Sequence, residues 1–205
     1  ENFSDWPQYS TEVPLEAYSL MVSIATRIRE FCDLPFGVNI EMNAYVQEWA
    51  MAYAVGADFI RFEAYVDNRA GSFGYIEECS TPLAKIMKDY PSDTMIFADV
   101  HTAETYGVPN VPINELAGNA KNHDAHAVIV TENDQNKKIT PEDVKSMREK
   151  MGDFPIIVGA GVKPNNVLDY MEYCDAVIVG RGFKTGDRVD PKLVKEFMEV
   201  VHSKY

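Results

Sequence analysis

The run TMIFADVH (94–101) closes on Asp99 and His101. Residues two apart on a strand face the same side, which would bring a carboxylate and an imidazole together at the strand's C-terminal end. Such a pair suits general acid–base catalysis, or one metal ligand and its neighbour. The plainer alternative is an Asp–His hydrogen bond that locks a loop. FIRFEAYV (59–66) repeats the spacing with Arg61 and Glu63. An unpaired buried charge is costly, so each needs a partner, either the other or Asp99. Glu63 is the third catalytic candidate, and Arg61 would orient a substrate or serve only as a structural partner. Asn39 ends PFGVNI (35–40) and Thr131 lies at the end of AVIVTEN (127–133). Glu1 would end a further strand upstream. Glu1, Asn39, Arg61 and Thr131 are the substrate-binding candidates.

A second chemistry is written in glycine. PIIVGAGV (155–162) and AVIVGRG (176–182) both run from an apolar stretch into paired glycines. Glycine lets an anion approach the main chain with no Cβ in the way. In barrel enzymes the loops after the last two strands commonly hold a phosphate, with backbone amides and a helix N-terminus aimed at it. Gly159, Ala160, Gly161, Gly180, Arg181 and Gly182 are therefore the phosphate-binding candidates, with Lys163 or Arg181 as the added cation. The alternative is that these glycines only relieve crowded strand-to-helix turns.

The elements that must position these residues follow from periodicity. Six short Val/Ile-rich runs (35–40, 59–66, 94–101, 127–133, 155–162 and 176–182) are apolar on both faces, as covered parallel strands are. Helix-like segments alternate with them at 14–31, 43–56, 81–90, 113–123, 140–151, 164–174 and 190–203. Asn43 is a candidate cap, Gly56 a stop, and the Thr-Pro pairs at 81 and 140 read as a cap with proline at the first turn. Regular alternation means a parallel sheet. The expected fold is a (β/α)8 TIM-type barrel in one domain over 1–205. The helix at 14–31 has no strand before it, so one to two first strands are expected to be missing from an N-terminally truncated sequence. The loop VDNRAGSFGYIEEC (66–79) is long for such a connection and reads as a lid, a partner surface or a plain insertion.

Composition excludes several classes. A formal net charge of −13 argues against nucleic acid and anionic membrane surfaces. No apolar run approaches the ~20 residues of a membrane span, and no integral membrane segment or signal peptide is expected. The three cysteines have no metal-like spacing, which fits a reducing compartment and a cytoplasmic protein. No cofactor is expected, although carboxylates at the mouth could hold a divalent cation. The expected partner is a small phosphorylated molecule, and a homo-oligomer remains open.

ENFSD, PFGVNI, GADFIRFEAYVD, IFADVH, PIIVGAGVKPNNV and the C-terminal VDPKLVKEFMEVV occur together and in order. In these motifs the sequence resembles the BtpA/SgcQ family over nearly its whole length. The resemblance implies a TIM barrel related to phosphate-binding barrels. It also implies an N-terminal strand and a His-Leu-Pro-Pro-Leu-Pro-like loop that this sequence lacks. VGRG stands where such families often carry VGS or VGT, and TENDQNKKIT replaces a glycine-rich loop after Thr131. One branch of the family is linked to photosystem I accumulation and another to sugar-uptake genes. Three functions follow as expectations. The first is binding and turnover of a small phosphorylated sugar or nucleotide-like ligand, by isomerase, lyase or nucleosidase-type chemistry. The second is a non-catalytic assembly or stability factor. The third is a sugar isomerase of the phosphoribosylanthranilate-isomerase type.

Overall fold

The computed structural model describes residues 2, 9–72, 74–132, 134–135 and 137–204. The chain opens with α1 (Leu15–Arg29), β1 (Gly37–Val38), α2 (Tyr45–Val55) and β2 (Phe59–Phe62). Two short strands, β3 (Arg69–Gly71) and β4 (Gly74–Ile76), precede α3 (Ser80–Asp89). Next come β5 (Met95–Val100), β6 (Thr105–Gly107), α4 (Ile113–Asn122) and β7 (Ala127–Val130). The last part holds α5 (Pro141–Met151), β8 (Ile156–Val158), α6 (Val167–Met171) and β9 (Ala176–Val177). A single 3-10 turn, the hairpin β10 (Lys184–Thr185) and β11 (Arg188–Val189), and α7 (Pro191–His202) complete it.

The six apolar runs are the six strands of one sheet, ordered β1-β2-β5-β7-β8-β9. Every neighbouring pair is parallel. Strand order follows chain order, and a helix lies between each strand and the next, the winding of a barrel and not of an open sheet that reverses. The fold is an incomplete (β/α)8 barrel.

Alternation sorts the strand residues into two environments. Ile60, Phe62, Ile96, Ala98, Val100, Val128, Val130, Ile156 and Val158 join the helix-side core with Trp49, Leu83, Leu116 and Met147. The residues between them face the concave side. There Ala127, Ile129 and Ile157 cluster with Phe97, and Phe97 stacks on Phe59 with ring centroids 4.8 Å apart. Polar side chains that continue this second set above the apolar floor point into the barrel's interior.

The seven helices fall on the seven expected segments, but some ends differ. Thr140 forms a capping box with Asp143 as its sequence suggests, an arrangement worth about 1 kcal/mol. Thr81 is not a cap: α3 starts at Ser80, preceded by Cys79. Asn43 is not one either. Its amide donates to the carbonyls of Ala64 and Glu77, and Ala44 takes the cap position. The long loop after β2 is a structured hairpin: β3 pairs antiparallel with both β4 and β6. Loops from two barrel units thus share one small sheet at the C-terminal end of the strands. Arg69 anchors it, buried, with its guanidinium on Asp67 at 2.5 Å and on the Thr105 hydroxyl at 2.6 Å.

Candidate active site

Parallel strands end together, so the terminal residues of β1, β2 and β5 share one end of the sheet. Asp99 lies on β5 and is fully buried. Arg61 on β2 reaches it with two hydrogen bonds, Nε to Oδ1 at 2.9 Å and Nη2 to Oδ2 at 2.8 Å. This is the bidentate fork that gives arginine–carboxylate pairs their strength. Of the partners considered in the sequence, Arg61 pairs with Asp99.

Glu63 follows β2 and is 2% exposed. Its two oxygens accept from the amide of Asn39, at 3.1 and 3.2 Å. Burial pushes its pKa well above the usual carboxylate range; Arg61 pulls it down, and the nearby charges of Asp99, Glu48 and Glu41 push it further up. Asn39 also donates to the carbonyl of Arg61 at 3.1 Å and to Glu48 Oε1 at 3.4 Å. One NH2 group therefore faces four acceptors.

Glu48 is the residue that the motif reading missed. It lies on α2 with no exposed surface. Its Oε1 accepts from the backbone amide of Ile40 at 2.7 Å, tying the end of β1 to the helix. Burial raises its pKa well above the usual range, against the opposing pull of the Ile40 amide, Asn39 and Arg61. The Glu48 Oε2 and Asn39 Oδ1 atoms are buried with no hydrogen-bond partner among the described residues. A signal was present: Glu48 occupies an apolar register of α2, with Met51, Ala52 and Val55 on the same buried face.

The expected side-by-side pairing of Asp99 and His101 is corrected. The strand stops at Val100, and His101 takes a left-handed φ of 57°. The two-residue alternation therefore fails at that step. The His101 ring is buried, with Nε2 2.8 Å from the Val111 carbonyl and 3.8 Å from Asp134. Thr131 is brought beside it, and its hydroxyl donates to the His101 carbonyl at 2.7 Å. Glu1 lies outside the described residues.

The two glycine loops are neighbours at the ends of β8 and β9. A Cβ built on Gly182 would lie 3.6 Å from the Val162 carbonyl. Their glycines have different reasons to be there. Gly159 is packed against its neighbours: a Cβ would fall 2.8 Å from Ile129 Cγ2 and 2.9 Å from Thr131 Cγ2. Its amide is already bonded to the Val130 carbonyl at 2.8 Å, so it is not a donor to an outside anion. Gly161 has a φ of 74°, a conformation that glycine adopts without strain. The amides of Ala160, Gly161 and Gly180 donate to no protein acceptor among the described residues. Arg181 and Gly182 form part of the exposed 3-10 turn.

The helix expected to aim its N-terminus at the phosphate does not do so. α6 has only five residues and starts at Val167. Its leading amides, from Asn166 and Val167, donate to the Lys163 carbonyl. The Asn166 side chain accepts from the Lys163 amide at 2.7 Å and donates to the Gly161 carbonyl at 3.1 Å. The loop thus closes partly on itself. No group of three or more His, Cys, Asp or Glu among the described residues is placed to hold a metal ion. No helix there is long and apolar enough to cross a membrane. An apolar cavity of about 170 Å³ opens between α1 and β1, with Met21, Ile28, Phe36 and Asn39 in its wall.

Fold and strand-end polarity together define a barrel of the TIM class. The chain belongs to the BtpA family, whose model matches residues 1–203. An uncharacterised protein of Methanocaldococcus jannaschii is 32% identical over 94% of this chain and 73% of its own length. The photosystem I biogenesis protein BtpA of Synechocystis is 26% identical over 98% and 72%. Among solved structures, N-(5'-phosphoribosyl)anthranilate isomerase of Pyrococcus furiosus superposes with a TM-score of 0.61. The match covers 89% of this chain and 80% of the isomerase at 17% identity. Thiamine phosphate pyrophosphorylase of Pyrococcus furiosus gives a TM-score of 0.63 over 94% and 79% of the two chains, at 16% identity. These two likenesses are of fold.

Proposed function

We propose that this barrel binds a small phosphorylated sugar or nucleotide-like compound at the C-terminal strand ends and acts on it by acid–base chemistry. The observation that carries the reading is the pair of adjoining loops whose Ala160, Gly161 and Gly180 amides have no acceptor among the described residues. They stand at the same end of the sheet as the buried acid Glu63. An acidic chain of net charge −13 has to bind an anion through such local donors. Two neighbours in fold carry a phosphoribosyl group or a phosphate in their names, which agrees with the proposed ligand class. Glu63, whose carboxyl burial pushes well above the usual carboxylate range, would be the general acid. The Arg61–Asp99 pair fixes the floor on which the ligand sits. His101 and Thr131 shape the neighbouring loop.

The test is thermal denaturation of the chain with ribose 5-phosphate, inorganic phosphate and ribose. The phosphorylated compounds should raise the melting temperature saturably, and ribose alone should not. At a concentration 100 times the Kd the stabilisation would be about 2.7 kcal/mol. If no phosphorylated sugar or nucleotide shifts the transition, the reading is wrong. A scaffold function then gains, favoured by the relative named for photosystem I biogenesis and by the exposed Tyr75 and Tyr106 on the small sheet.

A further inference from the structure

The geometry points to Glu48 and Glu63 as one proton-sharing carboxyl pair, bridged by Asn39, in which Glu48 is the positioning residue that keeps Glu63 in its acid form. The use of that acid in catalysis rests on the function proposed above; the existence of the pair does not.

Three observations converge on the pair. Both carboxyl groups lie within 3.4 Å of the same Asn39 nitrogen, and that nitrogen has more acceptors around it than hydrogens to give. Two fully ionised carboxylates would compete for a single NH2 group. Secondly, Arg61 gives both hydrogen bonds of its fork to Asp99 and acts on the pair only through its charge. Thirdly, Glu48 Oε2 is buried without a partner among the described residues. With no donor there to offset a second charge, one proton held within the pair lowers the cost of burying both carboxyls.

The groups facing the pair from the surrounding elements point the same way. β2 brings Arg61, β5 brings Asp99, and the segment after β1 brings Glu41. The start of α3 brings Cys79, whose thiol is held neutral first by burial and then by the charges of Glu48, Glu78 and Glu63. Arg61 and the N-terminal amine act against these acids. Two carboxyls that interact through one amide give up their protons in two separated steps, and between those steps the pair holds one proton. When Glu63 passes its proton to an oxygen of the ligand, the pair moves from one negative charge to two. The reverse transfer restores it, and no oxidant or reductant is involved. Glu48 touches no solvent-facing surface, so its part is to raise the proton affinity of Glu63 and to hold Asn39.

The experiment is a carbon-13 NMR titration of the full chain labelled at glutamate Cδ, from pH 4 to 9. In the wild-type protein the two buried carboxyls should titrate in two separated steps, with one proton retained at pH 7. Glu48→Gln removes the neighbouring charge, and the Glu63 midpoint should fall by about one pH unit or more. A Glu63 midpoint unmoved by Glu48→Gln overturns the pairing. Should that variant not fold, the wild-type curve decides alone: both carboxyls ionising together below pH 5 overturns the inference, and two steps support it. The infrared band of a protonated carboxyl at pH 7, present in wild type and weakened in Glu63→Gln, gives a second reading. A pair that titrates in two steps in a protein that ignores all phosphorylated compounds would sink the proposed function and leave this inference standing.

Discussion

The two sides of the sheet end in opposite ways. On β1, β2 and β5 the terminal side chains are polar or charged, mostly buried, and engaged with one another: Asn39 with Glu63 and Glu48, Arg61 with Asp99. On β8 and β9 the corresponding positions carry almost no side chain. Gly180 and Gly182 are exposed, and the amides of Ala160, Gly161 and Gly180 donate to no acceptor among the described residues. One side bonds most of its polar groups internally, Glu48 Oε2 and Asn39 Oδ1 excepted among the described residues; the other leaves donors to be satisfied from outside. The acidic side is largely buried, suited to setting a proton affinity. The glycine side is open and neutral, suited to receiving a group that brings its own charge.

Breaking the acidic side should have the largest effect. Arg61→Ala would leave Asp99 fully buried and uncompensated. Removing one partner of a buried pair costs about 3–5 kcal/mol, read as a lower urea midpoint with an unchanged m-value. The double variant Arg61→Met, Asp99→Leu should recover most of that loss, because it removes the buried charge as well as the pair. An Arg61→Ala protein as stable as wild type would show that water reaches Asp99.

On the glycine side the cost should depend on which glycine is changed. Gly159→Ala puts a methyl group 2.8 Å from Ile129 and 2.9 Å from Thr131. Overpacking of that kind costs about 1–3 kcal/mol, again measurable by urea denaturation. Gly159 is therefore a packing residue that only looks like part of a phosphate motif when read as sequence.

That distinction marks where the sequence stops being legible. The strands and helices were readable because Val/Ile runs and helical registers repeat locally, and the parallel order follows from their alternation. The Arg61–Asp99 contact was open in the sequence as one of several pairings, since it depends on which strands become neighbours. Glu48 was not seen because it sits in a helix, away from the strand ends where motifs were sought. Its meaning appears only when α2 packs behind β1. His101 misled for a local reason: a single left-handed residue cancels the side-chain alternation that placed it beside Asp99. The hairpin β3–β4 was hidden because its partner strand, β6, lies about thirty residues further on in the chain.

A subtler effect separates the two sides by pH. Burial raises the folded pKa values of Glu48 and Glu63 above the unfolded value of about 4.3. Above that pH the unfolded chain releases protons that the folded chain keeps. Stability from this source therefore falls as pH rises from about 4.3 towards the folded values, and no further beyond them. Glu63→Gln should remove its share, so the drop in urea midpoint between pH 5 and pH 8 should be smaller than in wild type. An unchanged drop would mean that Glu63 is ionised in the folded protein at both pH values.

The smallest change in stability should accompany the sharpest change in binding. A Cβ at Gly180 meets nothing within 4 Å, and its backbone, with φ −101°, is not in the left-handed region. Gly180→Ala should thus stay within about 0.5 kcal/mol of wild type. Its amide, however, is one of those left without an acceptor among the described residues, and a methyl group beside it stands where an incoming phosphate oxygen would approach. The variant should keep its melting temperature in buffer and lose most of the added stabilisation by ribose 5-phosphate. If Gly180→Ala responds to ribose 5-phosphate as fully as wild type does, the anion does not sit on this loop. The open donors on β9 would then need a different occupant, and the contrast between the two sides would be one of packing alone.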